Sequence, residues 1–398
     1  MKKKHFQTEL LAPGGSFEKA MTAFNYGADA VYIGGHKYSL RSRAMNFTLP
    51  EIGQLCQYAA PLGKKVYVVI NSFFHDEDFS GLESFVKQLE AFGVDAFIIS
   101  DLGVIDYLKD KTQVDIHLST QASCLNSYAG KFWKEQGVKR LILGREASLS
   151  QASAIKKSCG LEIELFVHGS LCMAYSGHCV ISNYTSGRDS NRGGCAHSCR
   201  YEYGLNIAGN KVEKTFMSSK DLAGLELVPK FHEFEIDSMK VEGRMKSTHY
   251  AGTISKVYAE AIAVYQQRPD DFSKLLPIWQ GELAKLANRD YTQGNLAAQA
   301  GESSVFNERE YVASSGYESV GFVKAVSSEL GLVVEVRKKF GHTDELECLP
   351  LSGENIRFSA SKLTTLEFAP LEFAKPSSFV RLPYLPNIST HCLIRRRV

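Results

Sequence analysis

The sequence contains no long hydrophobic run and no marked excess of either charge. Its longest apolar runs, such as residues 66–70 and 96–99, are far shorter than the roughly 20 residues that a membrane-spanning helix needs. The basic N-terminus is interrupted by Glu9 and Pro13 before an apolar segment of signal-peptide length can form. We therefore expect a soluble cytoplasmic protein that does not associate with membranes. The net charge of +2 neither requires nor excludes a nucleic-acid partner.

Several catalytic motifs are also missing. The sequence has neither the H-E-x-x-H motif of zinc proteases nor the G-x-S-x-G motif of serine hydrolases, so no hydrolytic nucleophile is apparent. The C-x-x-x-C-x-x-C spacing of radical-SAM enzymes fails at Cys199, which is followed by Arg200 and Tyr201. A composition of 44% hydrophobic and 23% charged residues is close to the globular average, which excludes a disordered or collagen-like chain.

Cysteine has the most informative distribution of any residue type. Four of the nine cysteines lie in one stretch with the spacing Cys-x6-Cys-x15-Cys-x3-Cys, namely Cys172, Cys179, Cys195 and Cys199. In a reducing compartment such a group favours a metal or iron–sulfur centre over disulfides. Structural zinc prefers pairs separated by about 2–4 residues, and only the last pair obeys this. The spacing therefore favours a four-thiolate iron–sulfur cluster, with zinc or unrelated buried or redox cysteines as alternatives. The other cysteines are predicted to be small buried residues: Cys56, Cys124, Cys159, Cys348 and Cys392.

Short apolar runs alternate with amphipathic helical patterns along the first two thirds of the chain. Eight strands are predicted, at residues 9–12, 30–33, 66–70, 96–100, 116–119, 140–143, 163–167 and 238–242. Eight βα units predict an α/β fold of the (β/α)8 TIM-like barrel type, and an open doubly wound sheet is the alternative. We assign the barrel to residues 1–268 and a helical bridge to residues 269–310.

The pattern changes in the last part of the chain, residues 311–398. Short alternating runs separated by turn residues predict a small all-β barrel domain there. Its predicted strands are residues 320–325, 331–336, 355–359 and 378–382. Two basic clusters stand out, at residues 337–339 and 395–397. They either contact phosphate or are solvated charges on a hairpin and a tail.

The loops that follow the strands of a (β/α)8 barrel form its active site. The loop after the seventh strand, residues 169–220, is about fifty residues long where about 2–6 are usual, and it carries the four clustered cysteines. His168 and Glu242, at two strand ends, are predicted to be catalytic. Six further residues near strand ends are predicted to bind substrate: Arg41, Arg43, Asn71, Gln121, Arg145 and Arg244. Converging guanidinium groups suit a carboxylate or phosphate ligand, although they could instead pair with rim carboxylates such as Glu146.

Four segments resemble those of the collagenase-like peptidase U32 family. They are residues 164–182, which include the first two clustered cysteines, and residues 11–15, 27–32 and 240–244. Some members of this family carry a protease label, whereas others are hydroxylases that bind an iron–sulfur cluster through four cysteines. Residues 187–203, together with an appended β domain, are similar to the tRNA hydroxylases that make 5-hydroxyuridine at the wobble position.

This resemblance implies a specific set of expectations. The reaction would be hydroxylation of the wobble uridine of tRNA at C5, with prephenate, a small dicarboxylate, as co-substrate. A [4Fe–4S] cluster would be held by Cys172, Cys179, Cys195 and Cys199. The alternatives are a U32-type peptidase and a non-catalytic RNA-binding subunit of a hydroxylase pair, and a homodimer or heterodimer is compatible with the family.

Overall fold

A computed structural model describes residues 6–40, 45–307 and 316–398. Its largest part is a barrel of eight parallel strands, all close to their predicted positions. They are β1 (Glu9–Pro13), β2 (Ala30–Gly34), β3 (Lys65–Ile70), β4 (Ala96–Ile99), β5 (Asp115–Leu118), β6 (Arg140–Ile142), β7 (Glu162–Ser170) and β8 (Ser238–Val241). β8 pairs in parallel with both β1 and β7, which closes the barrel. The predicted TIM-like barrel is therefore confirmed, and the open sheet is excluded.

Helices surround the barrel, and six of the nine named here begin at residues whose side chains cap them. They are α1 (Phe17–Asn25), α2 (Leu49–Ala59), α3 (Leu82–Ala91), α4 (Leu102–Leu108), α5 (Ser127–Glu135), α6 (Leu149–Cys159), α7 (Val228–Glu233), α8 (Thr248–Gln267) and α9 (Phe272–Leu283). The side chains of Ser16, Thr48 and Ser148, for example, accept hydrogen bonds from first-turn N–H groups, which satisfies donors that the helix leaves unpaired. In the described ranges no helix combines the length and apolarity that crossing a membrane requires.

The segment between β7 and β8 contains secondary structure that the sequence did not predict. A short strand, Asp221–Ala223, runs antiparallel to the end of β7, and Tyr291–Thr292 pairs with it in parallel. Before it come a short helix, Ile181–Ser186, and an exposed hairpin formed by Tyr203–Ile207 and Asn210–Lys214. The long predicted loop is therefore a small folded insertion at the end of the barrel.

The C-terminal part is a six-stranded antiparallel sheet that forms a half-barrel. Its strands are β9 (Tyr317–Ser327), β10 (Gly331–Val336), β11 (Glu345–Leu349), β12 (Ile356–Ser359), β13 (Phe379–Leu382) and β14 (Leu393–Arg397). They are ordered β12-β11-β14-β9-β10-β13. The all-β prediction is confirmed, but β11 and β14 were missed. The division of the chain at residues 268 and 310 stays a prediction.

The basic cluster at residues 395–397 is not a tail, because it belongs to the central strand β14. Arg395 is fully buried and pairs with Glu347 of β11 and, at 2.5 Å, with Glu282 of α9. Arg396 pairs with Glu318 at 2.8 Å. Arg395 fits neither interpretation made from the sequence, because it is fully buried in ion pairs, whereas Arg396 is ion-paired and partly exposed.

The β domain packs against the barrel helices through polar contacts. Arg337, from the other basic cluster, pairs with Glu18 of α1. The hydroxyl of buried Tyr26 donates to the Leu349 carbonyl at 2.6 Å and accepts from the Leu393 N–H at 2.8 Å. The C-terminal sheet thus contacts both ends of helix α1, at Glu18 in its first turn and at Tyr26, its C-cap.

Candidate functional site

A cavity of about 200 Å³ opens at the C-terminal ends of the barrel strands. The structure brings nine of the predicted site residues into its wall: Asn71, Gln121, Arg145, Cys172, Cys179, Cys195, Cys199, Glu242 and Arg244. His168 is not among the lining residues. Arg41 and Arg43 lie outside the described residues. The cavity is therefore the candidate active site, whereas the roles of the individual residues stay predictions.

Glu146, just after β6, fixes one part of the cysteine loop, by which we mean residues 171–220. Its two carboxylate oxygens accept hydrogen bonds from the N–H and the hydroxyl of Ser176, at 2.7 and 2.8 Å. Ser176 is buried and has a φ of 47°, a left-handed conformation that is strained for a residue other than glycine. Glu146 therefore holds a strained turn between Cys172 and Cys179, and it pairs with no arginine among the residues that the structure describes.

Arg192 fixes a second part of the cysteine loop to the segment that follows β3. Its Nη1 donates to the Phe73 carbonyl at 2.5 Å and to the Asp78 carboxylate at 2.6 Å. The Phe73 N–H donates in turn to the Asn191 carbonyl at 3.0 Å. The side-chain amide of Asn191 donates to the Cys179 carbonyl at 3.2 Å. This series of hydrogen bonds sets the position of the Cys179 backbone relative to the barrel.

The four clustered thiols share one electrostatic environment. Cys172 is exposed, and Cys179, Cys195 and Cys199 are half-buried. Burial raises the pKa of the Cys199 thiol, the Arg200 guanidinium opposes this rise, and the other three thiols add to it. All four cysteines line the cavity.

The four thiols can be compared with the ligand sets of zinc sites and of iron–sulfur clusters. Within the described ranges, no three Cys, His, Asp or Glu side chains are gathered as ligands of a single metal ion. A zinc ion requires its ligands at about 2.0–2.3 Å from one point. A four-iron cluster instead takes each thiolate on a different iron atom and occupies a wider space. Four thiols around one cavity therefore fit the donor set of an iron–sulfur cluster.

Lys240 of β8 lies at the inner end of the cavity. It is 5% exposed, and its Nζ donates to the Glu164 carboxylate at 2.7 Å and lies 4.5 Å from the centre of the Tyr32 ring. Glu164 also accepts from Arg140 at 3.1 Å. Burial lowers the pKa of Lys240, and the Glu164 carboxylate opposes that shift. Lys240 thus faces the cavity, and it shares its carboxylate partner, Glu164, with Arg140.

The two predicted arginines that the structure describes have different surroundings. The guanidinium carbon of Arg145 lies 3.8 Å from the centre of the Phe166 ring. In the part of the chain that the structure describes, Arg145 forms no ion pair. Arg244 is buried and donates to the Ser39 hydroxyl at 3.0 Å and to the Asn46 amide oxygen at 2.7 Å. Arg145 is therefore available to a ligand, whereas Arg244 joins the end of β8 to the segment that follows β2.

Asn71 and Gln121 add neutral polar groups to the cavity wall. The side-chain oxygen of Asn71 accepts from the Leu40 N–H at 3.2 Å. The side-chain oxygen of Gln121 accepts from the Ser119 hydroxyl, and its backbone carbonyl contacts the His178 ring. Both residues therefore position neighbouring loops, and their amide groups offer hydrogen bonds to a polar ligand.

The two residues predicted to be catalytic are placed differently. Glu242 lines the cavity. His168 is 1% exposed, and its Nδ1 lies 3.1 Å from the Tyr258 hydroxyl, with the Tyr250 and Tyr291 rings nearby. Burial lowers the pKa of His168 to about 3. A neutral imidazole enclosed by tyrosines, outside the cavity, gives no support to a catalytic role for His168.

Two cationic residues of the cavity, Lys240 and Arg200, were not predicted from the sequence. A lysine inside an otherwise apolar barrel strand was an available signal, because such a residue is buried only with a partner. Arg200 lies beside Cys199, and its Nη2 donates to the Leu171 carbonyl at 3.3 Å. Its Nη1 is buried and has no hydrogen-bond partner among the described residues. Arg200 belongs to the segment that resembles the tRNA hydroxylases, but the sequence did not indicate that its side chain lines the cavity.

The closed barrel and its cysteine insertion define the class of protein to which the chain belongs. The model of peptidase family U32 matches residues 15–305. The chain is a member of this family, as its motifs predicted.

Individual relatives are similar over most of their lengths. The chain is 41% identical to tRNA hydroxylation protein P1 of Bacillus subtilis, over 85% of this chain and 82% of the relative. It is 33% identical to tRNA hydroxylation protein P of Haemophilus influenzae, over 99% of this chain and 97% of the relative. A solved U32 peptidase structure aligns at 10% identity with a TM-score of 0.42, covering 61% of this chain and 96% of that one.

Proposed function

We propose that this protein is a cytoplasmic enzyme that hydroxylates the wobble uridine of tRNA at C5. The observation that carries the proposal is a cysteine-lined cavity at the barrel mouth, in a chain whose relatives are named tRNA hydroxylation proteins. The reaction replaces a C5–H bond by a C5–OH bond, so that the ring gains one oxygen atom and loses two electrons. We assign a small dicarboxylate, prephenate, as the co-substrate of this oxidation, as the family resemblance implies.

Three tyrosines of the cysteine loop provide surfaces for the RNA bases. Tyr175, Tyr184 and Tyr201 are 62%, 92% and 47% exposed. A uridine in an anticodon loop is single-stranded and can leave the base stack to enter a pocket. Stacking of a base on an aromatic side chain contributes about 1–3 kcal/mol. These tyrosines would hold the target base or its neighbours beside the cavity.

Cys172, Cys179, Cys195 and Cys199 would hold an iron–sulfur cluster of the [4Fe–4S] type. When bound, such a cluster supplies one-electron redox chemistry. The protein itself positions the cysteine loop through Glu146. The alternative is that the same four thiols bind zinc, and the metal analysis described below distinguishes zinc from a cluster.

Nucleoside analysis tests the reaction. A bacterial strain that lacks its own tRNA uridine hydroxylases is complemented with this chain, and its tRNA nucleosides are measured by mass spectrometry. We expect 5-hydroxyuridine to be restored by the wild-type chain and by Cys56→Ala, which removes a buried thiol outside the cavity. We expect it to be lost with Cys172→Ala. Absence of 5-hydroxyuridine with the wild-type chain would contradict the proposal, and cleavage of gelatin by the pure protein would favour the peptidase alternative.

Metal analysis tests the cluster separately. The protein purified without oxygen is expected to contain iron and acid-labile sulfide in equal amounts. Cys195→Ala and Cys199→Ala are expected to lower both, and Cys56→Ala is expected to lower neither. A colourless protein that contains zinc would exclude the cluster without excluding hydroxylation. Activity of the purified chain alone on tRNA would exclude a purely non-catalytic role in a pair.

A further inference from the structure

We propose that Lys240, Arg145 and Arg200 form a binding subsite for a small organic dianion that carries two carboxylates. The subsite lies at the inner end of the cysteine-lined cavity. All three side chains line this cavity. The inference specifies which residues bind the co-substrate class, and it rests on the proposed function for the reaction in which that dianion takes part.

The described wall of the cavity is strongly positive. It contains four cationic side chains and a single carboxylate, that of Glu242. One of the cations, Arg244, is already bound by Ser39 and Asn46. The other three are Lys240, Arg145 and Arg200. An excess of cations at a partly enclosed surface favours an anionic ligand.

The charges deeper in the barrel do not neutralise this excess. Arg140 pairs with Glu9 at 2.6 Å, and Lys240 pairs with Glu164 at 2.7 Å. Glu164 is divided between these two cations, because Arg140 also approaches it to 3.1 Å. Arg140 also pairs with the exposed carboxylate of Glu162 at 2.8 Å, so Glu9, Glu162 and Glu164 are all bound by Arg140 or Lys240. Arg145 forms no ion pair among the described residues, and it lines the cavity.

The orientation of Arg145 suits a carboxylate ligand. Its guanidinium stacks 3.8 Å from the centre of the Phe166 ring, and Lys240 Nζ lies 5.7 Å from the same ring. A stacked guanidinium keeps its N–H groups in its own plane, where they can donate to both oxygens of one carboxylate. Arg145 and Lys240 therefore form one cationic position, around Phe166.

Arg200 forms a second cationic position, on the cysteine loop. Its buried Nη1 has no partner in the described ranges, although an unsatisfied buried donor destabilises a protein. The nearby carboxylate of Asp221 already binds Arg289. A ligand oxygen would satisfy this donor. Two cationic positions in a cavity whose wall also contains the apolar side chains of Phe166 and Ile142 match two carboxylates on a carbon framework.

The depth of the subsite favours a small molecule over RNA phosphate. Lys240 is only 5% exposed and lies in the middle of a barrel strand. A polynucleotide backbone cannot reach that depth while its bases remain at the mouth. RNA phosphates would therefore contact the outer surface, and the inner cations would remain for a free dianion.

Calorimetric titration of the full-length protein, purified without oxygen, tests the subsite. The probes are isophthalate, a rigid dicarboxylate, and benzoate, its monocarboxylate counterpart. We expect isophthalate to bind at least about tenfold more tightly, because it forms charged hydrogen bonds at two positions. Arg145→Gln and Arg200→Gln should each weaken isophthalate binding by about tenfold or more. Lys246→Gln, which removes a half-buried cation outside the cavity wall, should leave it unchanged.

Three results would overturn the proposal. The first is equal affinity for the two probes, and the second is unchanged isophthalate affinity in both arginine variants. The third is weaker binding of an anticodon stem–loop RNA by these variants with no effect on isophthalate, because the cations would then bind phosphate. Both variants are expected to fold, since neither arginine forms an ion pair in the part of the chain that the structure describes.

The nucleoside assay keeps this inference separate from the proposed function. If isophthalate binding depends on both arginines but the wild-type chain restores no 5-hydroxyuridine, the subsite stands and the proposed function fails. If the wild-type chain and both arginine variants restore 5-hydroxyuridine equally, the proposed function stands and the subsite fails.

Discussion

At the scale of single residues, burial determines the protonation of several histidines. It lowers the pKa of His168 and His249 to about 3 in each case, from a usual value of 6.5. The unfolded chain therefore binds a proton at each of these residues below about pH 6.5, whereas the folded chain does so only near pH 3. Between these limits the unfolded state binds more protons, so the stability of the fold decreases as the pH falls.

Replacing His168 should make the protein less sensitive to acid. Between pH 6 and pH 5 the unfolding free energy of the wild-type protein should fall. In His168→Asn, which lacks this ionisable side chain, the fall should be smaller by about 1 kcal/mol. Urea unfolding at both pH values measures this difference, which is independent of any overall destabilisation by the substitution. His36→Gln, at an exposed position, is the control and should keep the wild-type pH dependence. An unchanged pH dependence in His168→Asn would show that native His168 is already protonated.

Gly15 explains physically why two of the U32-like segments occur together. A Cβ atom on this residue would lie 1.9 Å from the Arg244 carbonyl oxygen. Because this contact is with backbone, Gly15→Ala should destabilise the fold by about 1–3 kcal/mol in urea unfolding. Gly281→Ala is the control, since its added Cβ would have no neighbour within 4 Å and lies in helix α9. A wild-type unfolding free energy in Gly15→Ala would mean that the two segments do not pack as described.

At the scale of elements, the cysteine loop keeps its shape through a few side chains that join it to the barrel. Glu146 is the clearest of these, because it satisfies both the N–H and the hydroxyl of a strained serine. A strained turn persists only where surrounding contacts hold it. The positions of Cys172 and Cys179 therefore depend on a residue that belongs to the barrel.

Glu146→Ala should loosen the cysteine loop while the barrel remains folded. Loss of two hydrogen bonds to a charged carboxylate should raise the rate of trypsin cleavage at Arg188 and Arg200 by about tenfold or more. Mass spectrometry of the fragments identifies the cleaved bonds. Glu202→Ala, which removes an exposed carboxylate from the same loop, should be cleaved at the wild-type rate. Equal rates in the two variants would show that Glu146 does not hold the loop.

The elements that the sequence predicted are those that carry their own periodicity. All eight barrel strands have local apolar patterns. Strand β14 was missed because its three consecutive arginines resemble a solvated tail. Its burial depends on acidic partners in other elements, such as Glu282. Local patterns do not show such partners.

The residues of the candidate site likewise fall into those that the sequence predicted and those that only tertiary contacts show. The cysteines and strand-end residues were predicted because the topology of a barrel fixes which loops meet. Cys348 and Cys392 are buried, as predicted, but the sequence did not show that they lie close enough for Cys348 to lower the pKa of the Cys392 thiol. Lys240 and Arg200 likewise became visible only through tertiary contacts.

At the scale of the whole molecule, a buried ionic cluster joins the barrel to the C-terminal sheet. Arg395 of β14 pairs with Glu347 of β11 and with Glu282 of α9. Burial raises the pKa of Glu347, but Arg395 and Lys285 outweigh this effect and lower it to about 2. The cluster is therefore fully charged at neutral pH. Two charged carboxylates from different parts of the molecule share the Arg395 guanidinium, and Lys285 also pairs with both of them, at 2.6 and 3.0 Å.

Removing this guanidinium should weaken the connection between the two parts. Arg395→Gln would leave buried carboxylates without their main partner, which should lower the unfolding free energy by about 3–5 kcal/mol. We expect urea unfolding, followed by fluorescence and circular dichroism, to change from one transition to two, because the sheet would separate from the barrel before the barrel unfolds. Arg357→Gln removes a 77% exposed partner of the same Glu347 and should cause no measurable change. A single transition of wild-type stability in Arg395→Gln would show that apolar contacts alone hold the two parts together.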